Sequence, residues 1–232
     1  MRRFFGKKLN DNIIINDSEY NHIKKVLRMK EGDSLIAYIN DEYEYYCTIE
    51  KMNKDECICF IDKKEPCKAL PNKNITLFQM MPKKEYFDNI IPKSIELGVN
   101  EIYFFTSEFT MLKDFKRERV NTQVMTSCKQ CERSKLVKVH DMIKFNDMIK
   151  LLDNFDLVVF AYENEEEPFN PEILLNKQNI AIIIGNEAGF SQKEAEIIKN
   201  TKAKSISLGR RILRCDTAVT ATLSLVSILT NN

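Results

Sequence analysis

Two short, wholly apolar runs in the second half of the chain restrict the fold more than any other feature. They are residues 157–160 (LVVF) and 180–184 (IAIII), and neither has the polar alternation of a half-exposed strand. Strands buried on both faces are typical of a parallel α/β sheet covered by helices. Such sheets bind ligands at the carboxyl ends of their strands, so we expect functional loops after Tyr162, Ile184 and Leu208.

The first seventy residues predict a small β-barrel instead. One helix, capped by Asp17 or Ser18 and ending near Arg28, interrupts the strand pattern. The polar stretch 63–72, which contains two prolines, predicts a linker. We therefore predict a barrel domain of residues 1–72 and an α/β domain of residues 73–232. The predicted barrel strands are rich in β-branched and aromatic residues and are separated by Asn, Asp and Gly: residues 13–15, 34–39, 43–49 and 56–61.

Composition excludes several classes of protein. Hydrophobic residues make up 44% of the 232 residues, which is too many for a disordered chain. The sequence contains neither a signal-peptide core nor an apolar run near the ~18–20 residues of a membrane span. The cysteine count of seven is odd, so we expect a cytosolic protein with reduced thiols. The pairs Cys57-x-Cys59 and Cys128-x-x-Cys131 lack a second metal-binding half, so we predict no metal site.

Charge is balanced overall, with 35 basic and 34 acidic side chains, but basic residues concentrate in the segment 113–138. Such a segment attracts phosphates, although a solvated helix face is the alternative explanation. The pattern predicts one long helix over residues 115–136. A second helical pattern covers residues 84–97 and contains Pro92, which we expect to kink or restart that helix.

The loop after residue 184 carries the pattern GNEAG over residues 185–189, followed by S-x-x-E over residues 191–194. Glycines let a backbone approach a ligand closely, and S-x-x-E is a capping box that opens a helix. The loop lacks the Lys and Ser/Thr of a phosphate-binding P-loop and the glycine spacing of a dinucleotide fingerprint. Taken alone, it also fits an ordinary strand-to-helix turn.

A second motif, SLGRRILRCDTA, covers residues 207–218. A strand pattern ends in glycine and is followed by three arginines, Arg210, Arg211 and Arg214, and then by an apolar helix. Arginines beside a pocket are costly unless they meet an anion or stabilise developing charge. The two motifs together therefore predict a ligand pocket with arginines at its edge.

Together the two motifs resemble those of the RsmE family of SPOUT methyltransferases. Members typically show Gly-Pro-Glu-Gly-Gly and then Leu-Gly-x-Arg-Ile/Val-Leu-Arg-x-Glu-Thr-Ala. Three further segments are similar to family motifs in the same order: H-x-x-x-V-L-R-M at 22–29, K-S-I-E-L-G-V at 93–99 and Q-C-x-R at 130–133. Lys129 occupies a position where the family usually has glutamate. The resemblance covers nearly the whole chain.

The resemblance implies an α/β fold in which a small N-terminal PUA-like β-barrel for RNA precedes a SPOUT domain with a trefoil knot. It also implies a homodimer that methylates uracil N3 in 16S (small-subunit) ribosomal RNA with S-adenosylmethionine. Either this RNA or the 30S particle is then the partner. By the same resemblance the residues expected to bind the cofactor are Ala161, Tyr162, Gly185, Asn186, Glu187, Gly189, Leu208, Gly209, Ile212, Leu213, Thr217 and Ala218.

Three charged residues of the motifs are candidates for catalysis. Uracil N3 loses its proton only at a pH comparable to the reference pKa of tyrosine, ~10. Arg214, which resembles the arginine of the family motif, is expected to pair with the uracil carbonyl oxygens or with a phosphate. Glu187 or Asp216 either accepts the N3 proton or holds the loop.

Further basic residues are candidates for contacts with RNA, with a solvated surface as the alternative explanation. Glu96 and Arg133 resemble residues that approach the substrate from the partner subunit. The predicted RNA-binding residues are Arg2, Arg3, Lys24, Lys25, Arg28, Lys93, Glu96 and Arg133.

The chain departs from the family pattern in its motifs. Asn186 replaces a proline, Ala188 a glycine, and Asp216 a glutamate. Gly-Asn-Glu-x-Gly is also similar to the SpoU family of ribose 2′-O-methyltransferases, which is one alternative function. Another is an RNA-binding module that has lost catalysis.

Overall fold

The computed structural model describes residues 1–112 and 114–230, which form two compact units. The first unit comprises Met1–Leu70 together with Met125–Leu136, and the second comprises Pro71–Val124 and the chain from Val137 onward. The sequence did not predict that residues 125–136 belong to the first unit. The boundary between residues 72 and 73 stays a prediction. Lys113, at the start of the basic segment, lies outside the described residues.

The first unit contains a six-stranded sheet. Only β1 and β4 pair in parallel; the other neighbours are antiparallel. The order is β1-β4-β5-β6-β3-β2, so β1 and β2 lie at opposite edges although a single residue joins them. This connection curls the sheet into a barrel. The strands are β1 (Arg3–Phe5), β2 (Lys7–Leu9), β3 (Asn12–Asn16), β4 (Ser34–Tyr38), β5 (Tyr43–Met52) and β6 (Glu56–Pro66).

Gly6 is the residue between β1 and β2. A Cβ atom at this position would lie 2.7 Å from both Ile13 Cγ2 and the Ile14 carbonyl oxygen. Its backbone N–H donates to the Tyr38 carbonyl at 2.8 Å. The closure of the barrel therefore depends on a residue with no side chain.

Helix α1 (Asp17–Asn21) follows β3 and continues into a π-helical turn, His22–Val26. The prediction that Asp17 or Ser18 caps this helix is wrong, because Asn16 is the N-cap. Asp17 already has the left-handed value φ 53°, which turns the chain sharply out of β3.

The second unit contains a seven-stranded sheet in which all pairs are parallel, as the apolar runs predicted. The order is β10-β8-β7-β12-β11-β13, with β9 also beside β8. The strands are β7 (Asn74–Met80), β8 (Glu101–Thr106), β9 (Lys138–Val139), β10 (Ile143–Lys144), β11 (Leu157–Ala161), β12 (Asn179–Ile184) and β13 (Lys204–Ile206). The helices are α2 (Lys84–Glu96), α3 (Arg117–Gln130), α4 (Phe145–Leu151), α5 (Gln192–Lys199) and α6 (Cys215–Leu229), with 3₁₀ turns at Leu152–Asn154 and Pro171–Leu174.

The core of this unit lies on the central strands. Phe78, Val158, Phe160, Ala181 and Ile183 are completely buried. Because the strands are parallel, the loops after β7, β8, β11, β12 and β13 all leave the same edge of the sheet. After β13 the chain returns from this edge to α6, which packs on α2 and on β12 in the middle of the sheet.

Pro92 lies inside α2, yet the helix continues through it from Lys84 to Glu96, so the expected restart is wrong. Proline lacks the N–H that would bond to the carbonyl of residue i−4, here Asp88. The Gln123 side chain supplies the missing donor, because its Nε2 donates to the Asp88 carbonyl at 3.4 Å. A neighbouring helix thus compensates for the proline.

Helix α3 ends at Gln130, six residues before the predicted end. Glu132 has a φ of 66°, and the Arg133 N–H turns back to the Cys128 carbonyl at 2.8 Å. This left-handed residue ends the helix although no glycine is present. None of the helices among the described residues is long and apolar enough to cross a membrane.

Candidate active site

A cavity of about 690 Å³ opens at the carboxyl edge of the second unit's sheet. This volume lies within the range of small-molecule and cofactor sites. The loops after β11, β12 and β13 line it, as the apolar runs predicted. The predicted cofactor residues that line it are Ala161, Tyr162, Gly185, Asn186, Gly189, Leu208, Gly209, Ile212, Leu213 and Ala218.

The loop after β12 presents its backbone to the cavity. Gly189 has a φ of 72°, and a Cβ atom there would lie 2.5 Å from Glu163 Oε1. The carbonyl of Gly185 accepts a hydrogen bond of 3.0 Å from Nε2 of Gln79, which is fully buried at the end of β7. Both glycines line the cavity, and a Cβ at Gly185 would crowd the Phe190 ring at 3.1 Å, so the loop packs too closely for a side chain at either position.

Helix α5 begins directly after this loop with the predicted capping box. The Ser191 hydroxyl accepts from the Glu194 N–H at 3.3 Å, and the Ser191 N–H donates to Glu194 Oε2 at 3.1 Å. The other carboxylate oxygen of Glu194 accepts from the Glu108 N–H at 3.0 Å. One buried carboxylate thus fastens the loop after β8 to the start of α5.

The loop after β13 forms another wall of the cavity. Gly209 has a φ of 100°, which favours glycine, and Arg210 and Arg211 line the cavity beyond it. Ile212 also lines the cavity and is 88% exposed. Arg214 is the N-cap of α6 and is exposed, between the cavity-lining residues Leu213 and Cys215.

Glu187 and Asp216 each bond to a lysine on or before α2. Glu187 accepts from the Lys83 N–H at 3.2 Å, and its carboxylate lies 3.9 Å from Lys83 Nζ. Asp216 accepts from Nζ of Lys93 at 3.2 Å. Glu187 is not among the cavity-lining residues, so its predicted cofactor contact stays a prediction.

Cys215 lies close to both carboxylates. Burial, together with the negative charges of Glu187 and Asp216, raises the pKa of its thiol to about 12. Cys215 itself lines the cavity. Thr217, another predicted cofactor residue, is exposed on α6.

The sequence interpretation missed an acidic wall of the cavity after β11, formed by Glu163, Glu165 and Glu166. Glu165 accepts from Nζ of Lys199 at 2.8 Å. This bond is the main cause that lowers the pKa of Glu165 to about 2. The signal was available, because the tract 163–167 (ENEEE) directly follows an apolar run whose carboxyl end was expected to carry the site.

Most of the predicted RNA-binding residues are accessible. The guanidinium of Arg3 forms an ion pair with Glu132 in the first unit, with 2.8 Å between Nη2 and Oε2. Lys93 is half-buried and forms an ion pair with Asp216. Arg133 differs from the others, because it is only 3% exposed and burial lowers the pKa of its guanidinium. The exposed members of the set are Arg2, Lys24, Lys25, Arg28 and Glu96.

The cysteine pair of β6 faces the barrel core. The sulfur atoms of Cys57 and Cys59 lie 3.9 Å apart and both residues are fully buried. Within residues 1–112 and 114–230, no group of three or more His, Cys, Asp or Glu side chains could hold a metal ion.

Comparison with known proteins identifies the family. The family described as RNA methyltransferase domain matches residues 68–227, and the family described as RNA methyltransferase PUA domain matches residues 15–62. The ribosomal RNA small subunit methyltransferase E of Buchnera aphidicola (subsp. Schizaphis graminum) is 31% identical over 95% of this chain and 92% of that protein. The chain belongs to the ribosomal RNA small subunit methyltransferase E family.

Other relatives of this family also match over nearly their full length. The methyltransferase E of Bacillus subtilis is 29% identical over 93% of this chain and 90% of that protein, and that of Aquifex aeolicus is 29% identical over 100% of both. A crystal structure of methyltransferase E from Neisseria gonorrhoeae bound to S-adenosyl methionine has a TM-score of 0.90 and 22% identity, covering 99% of this chain and 98% of that one. The predicted fold class is confirmed: a PUA-like domain with a curled β-sheet precedes a SPOUT-type α/β domain with a parallel sheet.

Proposed function

We propose that the protein transfers the methyl group of S-adenosylmethionine to N3 of a specific uridine in small-subunit ribosomal RNA. One observation carries the proposal: two motif loops and the start of α6 enclose one cavity, with Arg214 beside it. Membership of the methyltransferase E family supports ribosomal RNA as the substrate. The cofactor bound in the Neisseria relative supports S-adenosylmethionine.

The residues present fit this cofactor. The cavity is large enough, and the glycine-containing loops offer main-chain groups to an adenosine moiety. The acidic wall of Glu163, Glu165 and Glu166 complements a cofactor that carries an ammonium and a sulfonium group. When bound, S-adenosylmethionine supplies an electrophilic methyl group.

The charged residues beside the cavity then act on uracil. The guanidinium of Arg214 pairs with the carbonyl oxygens flanking N3 and stabilises the negative charge left when N3 loses its proton. Glu187 or Asp216 accepts that proton, and each carboxylate forms an ion pair with a lysine, Lys83 or Lys93. These three residues are our proposed catalytic set.

The remaining parts of the proposal concern RNA and assembly. The PUA-like barrel binds RNA through Arg2, Lys24, Lys25 and Arg28, which are exposed in the first unit. Substrate contacts from Lys93 and Glu96 belong to the same proposal, whereas Arg133 is too deeply buried to be part of it. A ribosomal substrate, as free RNA or as the 30S particle, implies that the reaction takes place in the cytoplasm.

We propose a homodimer formed through the C-terminal half of α6. Leu225, Ile228 and Leu229 are 37%, 72% and 46% exposed and leave an apolar face on this helix. A shallow cavity of about 450 Å³ lies against the same face. Light scattering should show a dimer, and Ile228→Glu should convert it to a monomer.

The decisive experiment is nucleoside mass spectrometry of 30S particles lacking the modification, after incubation with the protein and labelled S-adenosylmethionine. We expect the label in 3-methyluridine. Arg214→Met should lose at least about 100-fold in kcat, the scale expected for an oxyanion-stabilising donor. Lys150→Met, which removes an exposed positive charge on α4, serves as the control and should retain full rate.

Other outcomes would replace the proposal. Label in a 2′-O-methyl nucleoside would assign the SpoU-type reaction. Cofactor binding without label would mean a different substrate. Absence of cofactor binding would favour the non-catalytic RNA-binding module.

A further inference from the structure

Asn186 stands where the family typically has proline, and its side chain is only 8% exposed. Its Oδ1 accepts from the Ala188 N–H at 2.9 Å. Its Nδ2 donates at 3.4 Å to the carbonyls of both Met81 and Phe109. The acceptor and both amide hydrogens of the side chain are therefore used within the second unit.

These bonds hold the loop after β12 in two ways. The bond to Ala188 closes a turn within the loop, and the Asn186 carbonyl accepts from the Gly189 N–H at 3.1 Å. The bonds to Met81 and Phe109 fasten the loop to the segments that follow β7 and β8. A loop held within itself and to two neighbouring segments cannot shift without breaking several bonds.

A proline at this position would make none of these side-chain bonds. It restricts the loop instead by fixing its own φ near −65°. Asparagine has no such restriction, so the loop of this chain depends on the side-chain bonds for its conformation.

We infer that Asn186 is a positioning residue: its amide holds the cofactor loop in the conformation that presents the main chain of Gly185 and Gly189 to the cavity. The inference rests on the proposed function, because it takes the ligand of this cavity to be S-adenosylmethionine. The side chain acts on the cofactor through the loop rather than by contact.

The test compares three variants by calorimetric titration with S-adenosylmethionine and with S-adenosylhomocysteine. Asn186→Ala should weaken both affinities about 3- to 30-fold, as expected for the loss of one or two hydrogen bonds. Asn186→Pro should restore both to within about threefold of the parent protein, because it replaces one restriction with another. Asn170→Ala is the matched control: its Oδ1 makes a similar turn bond to the Glu172 N–H at 3.0 Å, outside the cavity, and affinity should not change.

A kinetic measurement separates positioning from a general structural loss. Asn186→Ala should raise the KM for S-adenosylmethionine while kcat at saturating cofactor and the KM for RNA stay near those of the parent. If Asn186→Ala does not fold, Asn186→Ser takes its place, since a hydroxyl can accept from the Ala188 N–H but does not reach the Met81 and Phe109 carbonyls. It should also raise the KM for the cofactor.

Each outcome of these measurements supports or overturns the inference about Asn186. Unchanged cofactor affinity in Asn186→Ala would overturn the inference. Equal losses in Asn186→Ala and Asn186→Pro would also overturn it, because they would indicate direct contact between the amide and the cofactor. Failure of the parent protein to bind either ligand would instead refute the proposed function, together with the inference that rests on it.

Discussion

The ammonium group of Lys129 lies 2.6 Å from Oε1 of Glu19, and both side chains are largely buried in the first unit. The other oxygen of Glu19 accepts from the Phe5 N–H at 3.0 Å, so the carboxylate also supports β1. The family usually has glutamate at position 129, where it would meet a second carboxylate. In this chain the ion pair joins residues 125–136 to the barrel.

Lys129→Ala should destabilise the protein by about 2–4 kcal/mol, because it leaves the buried Glu19 carboxylate without its cation. Urea unfolding measures the change. The control is Lys135→Ala, which removes a lysine of the same segment from an exposed ion pair with Glu42 and should cost much less. Equal losses of unfolding free energy in the two variants would show that burial of the Lys129–Glu19 pair adds no stability.

The sequence predicted those parts of the fold that depend on local pattern. Residues 157–160 and 180–184 are apolar because they lie at the centre of the sheet, so their burial could be inferred without a structure. The cavity loops followed from the same reasoning, because parallel strands present their carboxyl ends at one edge. The capping box was predictable because its two side chains are three residues apart.

Features that depend on distant pairing were not predictable. Strand β2 is three exposed residues with no apolar pattern, and it exists because it pairs with β3. Residues 125–136 group with the first unit through contacts such as the hydrogen bond from Ser134 to the Asp41 carbonyl. The hydrogen bond from Gln123 to the Asp88 carbonyl near Pro92 likewise joins α3 to α2. Neither segment has a sequence pattern that predicts this packing.

Gly6→Ala should destabilise the barrel by about 3 kcal/mol or more, since the new methyl group would meet Ile13 and the Ile14 carbonyl at 2.7 Å. Urea unfolding provides the measurement. Gly32→Ala is the comparison: Gly32 has open space around it but a φ of 91°, so only backbone strain of about 1–2 kcal/mol is expected. A smaller loss for Gly6→Ala than for Gly32→Ala would contradict this account of barrel closure.

Pro92→Ala should raise stability by about 1–3 kcal/mol, because alanine restores a helical N–H for the Asp88 carbonyl. A double-mutant cycle with Gln123→Ala tests the compensation directly. Gln123→Ala should cost about 1 kcal/mol in the parent protein, where it leaves that carbonyl without a donor, and close to nothing beside Pro92→Ala. Additive effects would mean that Gln123 does not compensate for the proline.

Glu165 should make stability depend on pH in the acid range. Its pKa is lowered to about 2 in the folded protein, chiefly by the hydrogen bond from Lys199, whereas an unfolded glutamate has a pKa of about 4.3. A lowered folded-state pKa gives stabilisation that is complete above the unfolded value and is lost as pH falls from about 4.3 towards 2. Urea unfolding without cofactor should therefore show a difference between the parent protein and Glu165→Gln that is large at pH 6 and shrinks over this window. In a Lys199→Met background, the pH-dependent difference in unfolding free energy that Glu165→Gln causes should be smaller. A difference between the parent protein and Glu165→Gln that stays constant with pH would show that Lys199 does not hold the carboxylate in its ionised form.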